Sequence, residues 1–230
     1  MRADYPRVLY EDNHLLAVEK PVNMPCQADD SGDLDLLTLM KDYLKEKYQK
    51  PGQVYLGLVH RLDRPVGGVM VFARTSKAAA RFSQQIRLGQ VDKTYLAVVR
   101  GAPPQAQRLT DYLIKDARTN SSRVCAPDAG GKFAALSYRR CGQADGLSLV
   151  RVALETGRSH QIRVQMAHAG YPLWGDSRYG GGKPGQQIAL WCAQMALTHP
   201  TLKTPLCVSC LPPDRDPWSL FDLASALEPM

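Results

Sequence analysis

Between Val91 and Glu155 the chain supplies strand-length segments in succession: VDKTYLAVVR, RLTDYLIKD, KFAALSYRRC and LSLVRVALE, with polar turns between them. In the first, Tyr95, Ala97 and Val99 share one face while Leu96 and Val98 share the other, the two-residue period of a strand. Parallel neighbours need a long crossover, so consecutive strands joined by turns favour antiparallel pairing. This run constrains the fold more than any other feature of the sequence.

The flanking segments add elements around it. RVLYEDNHLLAVEK (7–20) holds two apolar stretches around Asp12-Asn13, the pattern of a hairpin that Pro21 and Pro25 end. A polar, acidic loop follows at Gln27–Asp33. Leu36, Leu37, Met40, Tyr43, Leu44 and Tyr48 then recur at helical spacing, with Asp33 or Asp35 to cap and Pro51-Gly52 to stop. This first quarter reads as scaffold. A second helix is expected after Thr75-Ser76 through KAAARFSQQIRL, ended by Gly89, with Ala79, Phe82 and Ile86 inward. Ser159 is expected to cap a short helix that Gly170 ends, with Ile162, Met166 and Ala169 toward the core. Residues 188–198 read as buried strand or helix, LCVSCLP as a final strand, and PWSLFDLASALE as a closing helix.

Chemistry concentrates in His60-Arg61-Leu62-Asp63-Arg64, between the apolar runs Leu56–Val59 and Val69–Ala73. Cations on both sides favour the ionised form of Asp63. In a partly buried loop that carboxylate is a candidate nucleophile or general base. Taken alone, such a cluster is more often a structural ion pair capping a turn.

Other patterns are weaker. Cys207 and Cys210 form one CxxC with no second pair to complete a zinc site, and strand alternation puts them on opposite faces. GGGKPG lacks the register of a phosphate-binding loop, because Lys183 is followed by Pro. HRLD departs from the kinase HRD loop by one residue, with neither a glycine-rich loop before it nor DFG after it. No G-x-S-x-G elbow is present.

At 230 residues and 44% apolar the chain can bury a sizeable core, roughly 70% of its unfolded surface. No apolar run approaches the ~20 residues of a membrane span, and the opening MRADYPRVLYEDN resembles neither a signal nor a transit peptide. The expectation is a cytoplasmic protein without membrane contact, its six cysteines reduced. The net charge of +7 is unevenly spread. Residues 1–59 hold 7 Lys/Arg against 10 Asp/Glu, residues 60–183 hold 20 against 8, and residues 184–230 hold 2 against 4. A basic block that starts at HRLDR and ends at Lys183 points to a polyanion partner.

The HRLDR-x-x-GG-V-M-V-F-A-R block, the strand with Lys93-Thr94-Tyr95, and TGRSHQIR followed by GD-x-x-YG together resemble the RluA-type pseudouridine synthases. The resemblance runs from about residue 8 to about residue 212. It implies an α+β fold: one catalytic domain over residues 1–230, with a bent, mixed, mostly antiparallel central sheet flanked by helices. Many members carry an N-terminal S4-type RNA-binding domain; none is expected here, because the catalytic pattern already begins near Val8. Residue by residue, the resemblance makes Asp63 the catalytic carboxylate. Tyr95 matches the tyrosine that stacks on the target base and takes the proton from C5, and Arg163 the arginine that pairs with the catalytic Asp. Arg61 matches the residue that fills the gap left by a flipped nucleotide. Arg64, Arg158, His160 and Gln161 complete the expected RNA-binding set. Two departures stand out: Gln165 where the family commonly has His, and Val66-Gly67-Gly68 where it often has T-S-G. Neither touches the three catalytic positions.

The implied reaction breaks the C1′–N1 bond of a uridine, turns the base and joins C5 to C1′. It needs no cofactor and no metal. The expected partner is ribosomal or transfer RNA, and the expected state is a monomer. The competing expectation, from another class, is a non-catalytic RNA-binding or ribosome-assembly protein on the same fold. A third, hydrolysis of a nucleoside or glycoside, would need a second carboxylate near Asp63, for which Asp176 is available.

Overall fold

The computed structural model describes residues 5–183 and 185–228. Pro184, inside the expected glycine-rich loop, lies outside them, as do the first four residues. The chain divides into two compact units: one runs to Asp92 and takes in Gln194–Cys210, the other comprises Lys93–Ala193 and the residues from Leu211 on.

In the first unit β1 (Val8–Glu11) and β2 (Leu15–Lys20) form the expected hairpin. Asp12 makes the turn, its Oδ1 accepting from the backbone N–H of His14 at 2.8 Å and of Leu15 at 2.7 Å. Next comes α1 (Leu36–Lys47), capped by Asp35, whose carboxylate accepts from the N–H of Thr38. After β3 (Gly57–Leu58) and the HRLDR segment, β4 (Gly67–Ala73) pairs antiparallel with β2 and is buried at every position. The helix α2 (Ser76–Arg87) starts at Thr75, whose hydroxyl accepts from Ala78 N–H, and stops at Gly89 (φ 68°). Its buried stripe is Ala78, Phe82 and Gln85 rather than Ala79, Phe82 and Ile86. The helix is turned slightly from the most apolar solution, because its packing direction is set by the strand it covers. Strand β11 (Pro205–Ser209) pairs antiparallel with residues 194–198 of β10 (Leu190–Thr198). Cys207 is exposed and Cys210 buried, on opposite faces as alternation requires.

The second unit is built on β5 (Asp92–Arg100), β6 (Ala106–Asp116), β7 (Ser121–Cys125), β8 (Lys132–Ala144) and β9 (Leu147–Leu154). They order as β5-β9-β8-β6-β7, with antiparallel pairing throughout this series. Strand β7 is absent from the sequence reading; SSRVC is too short and polar to show a period. Residues 95–99 of β5 are buried on both faces.

Helix α3 (Gln161–His168) ends near Gly170 (φ 88°) as expected, but Ser159 does not cap it. His160 holds the capping position in the left-handed region (φ 54°), with no side-chain cap bond. Residues 161–166 are buried all round the helix, so polar Gln161, Arg163 and Gln165 are inside with Ile162 and Met166, whereas Ala169 is only half-buried. The expected closing helix is also corrected: Trp218–Leu220 and Ser225–Leu227 are separate 3-10 turns. Asp222 breaks the run, bonding the Ser225 N–H and hydroxyl at 3.2 and 2.7 Å.

Candidate active site

The HRLDR segment is an irregular connection held between β3 and β4 by its own side chains and backbone. His60, 9% exposed, accepts a hydrogen bond at Nε2 from the Val71 N–H (3.1 Å) and sets its ring edge-on to Phe82 of α2. Leu62 is buried, and its carbonyl accepts from the Cys26 thiol at 3.2 Å. The chain then turns at Asp63, where the Val66 N–H donates to the Asp63 carbonyl at 2.9 Å. A charged residue follows a buried one at each step, which brings Arg61 and Asp63 to the outer side of the loop while Leu62 anchors it.

Lys20, left in the scaffold by the sequence reading, is the main tie of this turn. It is fully buried at the end of β2, and Nζ donates to the carbonyls of Pro21 (3.0 Å), Arg64 (3.0 Å) and Val66 (2.8 Å). Burial pushes its ammonium down to about 8, against the neighbouring charges of Cys26 and Asp63. The one sequence signal for it is a lysine closing the apolar strand LLAVEK directly before Pro21. Such a position is rarely given to Lys unless its head group has partners.

The two arginines of the segment differ. Arg61 is exposed, and its guanidinium enters no hydrogen bond or ion pair among the described residues. Arg64 is drawn to the acidic loop 29–33. It pairs with Asp33, donates from Nη1 to Ser31 Oγ (3.0 Å) and from Nε to the Asn23 carbonyl (3.2 Å).

In the second unit Tyr95 lies on β5 opposite Val152 of β9 and is 7% exposed. Its hydroxyl shares a hydrogen bond with the thiol of Cys192, which burial pushes up to about 12. Lys93, two residues earlier on the strand, lies near the same sulfur, and burial lowers its ammonium below the usual range.

TGRSHQIR forms the entry to α3. Gln161, 3% exposed, closes this loop with its own amide: Oε1 accepts from the Arg158 N–H (2.9 Å) and the Thr156 hydroxyl (2.8 Å). Its Nε2 donates to the Ala135 carbonyl and to Gln165 Oε1, both at 3.0 Å. Arg158 is exposed and donates from Nε to the Phe133 carbonyl at 2.8 Å. Gln165, where the family commonly has His, donates onward to Asp111 at 2.7 Å.

Arg163 comes off α3 and meets Asp176 of the GD turn in a two-pronged pair, Nε to Oδ2 and Nη2 to Oδ1, each 2.8 Å. The two side chains are nearly buried, at 8% and 0% exposed. Burial alone would raise the Asp176 carboxyl; the Arg163 fork and the N–H groups of Tyr179 and Arg178 outweigh it and hold it below the usual range. The guanidinium also lies over the Tyr179 ring, 5.1 Å from its centroid. Tyr179 is fixed in turn, its hydroxyl 2.8 Å from His160 Nδ1 and accepting from the Ser122 N–H at 2.8 Å. GD-x-x-YG and SHQIR are thus one constellation, with Asp176 and Tyr179 holding the arginine. The sequence offered Asp176 as a second carboxylate, with a structural role favoured by the family resemblance, but did not name Arg163 as its partner. The turn itself needs Gly175: it sits at φ 75°, and a Cβ there would fall 2.2 Å from the Gln187 carbonyl oxygen.

Among the described residues no three His, Cys, Asp or Glu side chains gather as a metal-binding group, and no helix is long and apolar enough to cross a membrane.

A family model described as RNA pseudouridylate synthase matches residues 14–168, well over half of the chain. The chain belongs to this family. It is 34% identical over 198 residues to an uncharacterised RNA pseudouridine synthase, YhcT, of Bacillus subtilis (strain 168), covering 84% of this chain and 64% of that one. It is 35% identical over 175 residues to ribosomal large subunit pseudouridine synthase D of Pseudomonas aeruginosa, covering 76% of this chain and 53% of that one. The chain therefore spans between about half and two-thirds of the length of these relatives. Among solved structures it is similar to human RNA pseudouridylate synthase domain containing 4, with TM-score 0.76 and 22% identity over 90% of this chain and 88% of that one. Human domain containing 1 gives TM-score 0.73 and 21% identity, over 91% and 84%. The fold is accordingly the expected α+β class, with mostly antiparallel strands flanked by helices.

Proposed function

We propose that this member of the family is an active RNA pseudouridine synthase with Asp63 as its catalytic nucleophile. The observation that carries the reading is the Arg163–Asp176–Tyr179–His160 constellation. It spends a buried ion pair, a ring and a left-handed residue on fixing one guanidinium, an investment that a plain RNA-binding surface does not need. In this reading Arg163 also pairs with Asp63 and orients its carboxylate. Asp63 adds to C1′ or C6 of the uridine, or removes the 2′ proton, while the C1′–N1 bond breaks. The detached uracil turns and C5 bonds C1′. The Asp63 bond to C1′ or C6 breaks, or the 2′ proton is returned, so the carboxylate is regenerated. The C5 proton leaves to a base at Tyr95, and N1 gains a proton. Atoms and electrons balance without a co-reactant.

The uridine must first leave its stack, which costs a few kcal/mol and least in loops and bulges. Arg61, exposed on the loop beside Asp63, fills the gap it leaves, and Tyr95 stacks on the base, worth roughly 1–3 kcal/mol. Arg64 and Arg158 take phosphates. His160 and Gln161 serve RNA binding by shaping the loop that presents Arg158. Relatives named for the ribosomal large subunit favour ribosomal over transfer RNA as the substrate.

The test is tritium release from RNA labelled at uridine C5 and extracted from cells lacking this gene. Wild-type protein should release tritium and Asp63→Asn should not. Release by both would remove Asp63 from the mechanism. Tight binding without release from ribosomal or transfer RNA would leave a non-catalytic RNA-binding protein.

A further inference from the structure

Strand alternation gives the β6–β9 part of the second unit two faces with different surroundings. One is covered by α3: Gln165 bonds Asp111, and Leu113, Ala134 and Val164 form a buried cluster. Tyr95 belongs to this side of the sheet, in register with Val152, which is in register with Tyr138. The other face is exposed at Arg108, Thr110, Arg123 and Phe133, while at its β8–β9 end the C-terminal residues reach it, Phe221 lying beside Gly142 and the Glu228 carbonyl accepting from Arg151. Across it Tyr112 of β6 lies opposite Phe133 of β8, Ile114 opposite Arg123 of β7, and Arg139 of β8 opposite Arg151 of β9.

The aromatic pair is edge-to-face at 5.8 Å, and Phe133 is 42% exposed. Cross-strand rings stabilise a sheet without any ligand, so the pair alone decides nothing. The charges do. Like charges directly opposite one another destabilise a sheet, yet Arg139 and Arg151 are register partners. Arg151 donates to the Glu228 carbonyl at 2.9 Å, whereas the guanidinium groups of Arg139 and Arg123 enter no hydrogen bond or ion pair among the described residues. The acid beside this face, Glu155, is taken by Arg108 in a two-pronged pair at 2.8 and 2.7 Å. Asp116, at the hairpin end, accepts from the Arg118 N–H and lies within electrostatic reach of Arg123, which it offsets in part. The face therefore carries guanidinium groups at both ends, with the half-buried Tyr112 and the exposed Phe133 between them. Phe133 and Arg139 are roughly 20 Å apart at the rise of a strand.

We propose that this face of β6, β7, β8 and β9 binds single-stranded RNA, with bases stacked on Phe133 and Tyr112 and phosphates held by Arg123, Arg139 and Arg151. Unpaired bases offer π-faces that a duplex keeps within its own stack. Guanidinium groups match phosphate oxygens in geometry as well as charge. The surface is separate from Tyr95, on the other side of the sheet, and would hold a strand flanking the modified site. It rests on the RNA reading of the preceding section but not on the catalytic one.

The probe is a short fluorescein-labelled oligouridylate, titrated at several salt concentrations against wild type, Phe133→Leu and the double variant Arg123→Ser/Arg139→Ser. Leucine keeps the apolar contact with Tyr112 and removes the π-face. Phe133→Leu should weaken binding roughly tenfold with an unchanged salt slope. The double variant should weaken it and reduce the slope of log K against log salt by about 1.4, or 0.7 per phosphate on a single strand. Unchanged binding in both variants overturns the proposal. So does poly-L-glutamate that displaces the strand as well as unlabelled RNA does, since the face would then suit an acidic protein. C5 tritium release is read in parallel. Weakened binding by the variants with no release by wild type overturns the isomerase and leaves this surface standing. Release by wild type with unchanged binding by the variants does the reverse.

Discussion

Lys20 shows how much one side chain can organise. Its ammonium closes three carbonyls that would otherwise be buried without donors, at Pro21, Arg64 and Val66. Lys20→Met removes those bonds, and the protein should lose roughly 1–3 kcal/mol for each carbonyl left unsatisfied, less whatever relaxation recovers. The pH dependence has a definite sign. With the folded value down at about 8 and the unfolded one near 10.4, the folded state binds fewer protons between them, so stability rises with pH there. Chemical denaturation from pH 8 to pH 10 should therefore widen the gap between wild type and Lys20→Met; a gap that narrows would contradict this account of the buried charge. Asp176 has the same sign in a different window, at the acid end. Its carboxyl is held low by Arg163, so its contribution is present above about pH 4 and is lost as pH falls through the lower folded value. Asp176→Asn should cost about 3–5 kcal/mol at neutral pH, the scale for breaking a buried pair. It should also flatten the acid limb of the wild-type stability profile and reduce tritium release. Normal release from a stably folded Asp176→Asn would show that the fork on Arg163 is dispensable.

At the scale of elements, the site depends on connections more than on regular structure. Helix α3 is short, begins without a side-chain cap, and starts from a residue in the left-handed region. A left-handed non-glycine residue costs about 1–2 kcal/mol, and the His160–Tyr179 bond helps to hold it there. The GD turn that delivers Asp176 is equally constrained, because Gly175 faces the Gln187 carbonyl with no space for a methyl group. Gly175→Ala should therefore lower the melting temperature and displace Asp176 from Arg163. Turnover should fall with it while RNA affinity changes little, since the residues expected to contact phosphate lie elsewhere. Equal turnover in Gly175→Ala would mean that the turn adjusts more freely than its packing implies. The HRLDR connection follows the same logic: His60, Leu62 and Lys20 fix a loop that has no secondary structure of its own.

Taken whole, the molecule has an acidic beginning, a strongly basic middle and an acidic end. If phosphate contacts supply its affinity, binding to ribosomal RNA should fall steeply with salt. A protein making 6–10 such contacts loses about 10³–10⁵ in affinity between 50 and 200 mM salt. Filter binding across that range measures it directly. A shallow dependence would mean that the basic middle serves solubility instead of RNA.

The sequence by itself determined β5, β6, β8 and β9, the hairpin at Asp12 and the first two helices. Their periodicity and capping signals are local and need no distant partner. It also determined the family, because HRLD, TGRSHQIR and GD-x-x-YG are specific as a set. What it could not determine were features fixed by contacts between distant residues. The buried stripe of α2 lies one residue from the most apolar choice, because β4 sets its direction. PWSLFDLASALE has helical spacing but forms separate 3-10 turns, since Asp222 satisfies the backbone locally. The role of Lys20 depends on carbonyls 44 and 46 residues away. Asp176 became the partner of Arg163 only when folding laid the GD turn against α3. Short-range propensity selects elements; the pairing of buried charges and donors is decided where desolvation makes an unmet partner costly, and that is a property of the tertiary structure.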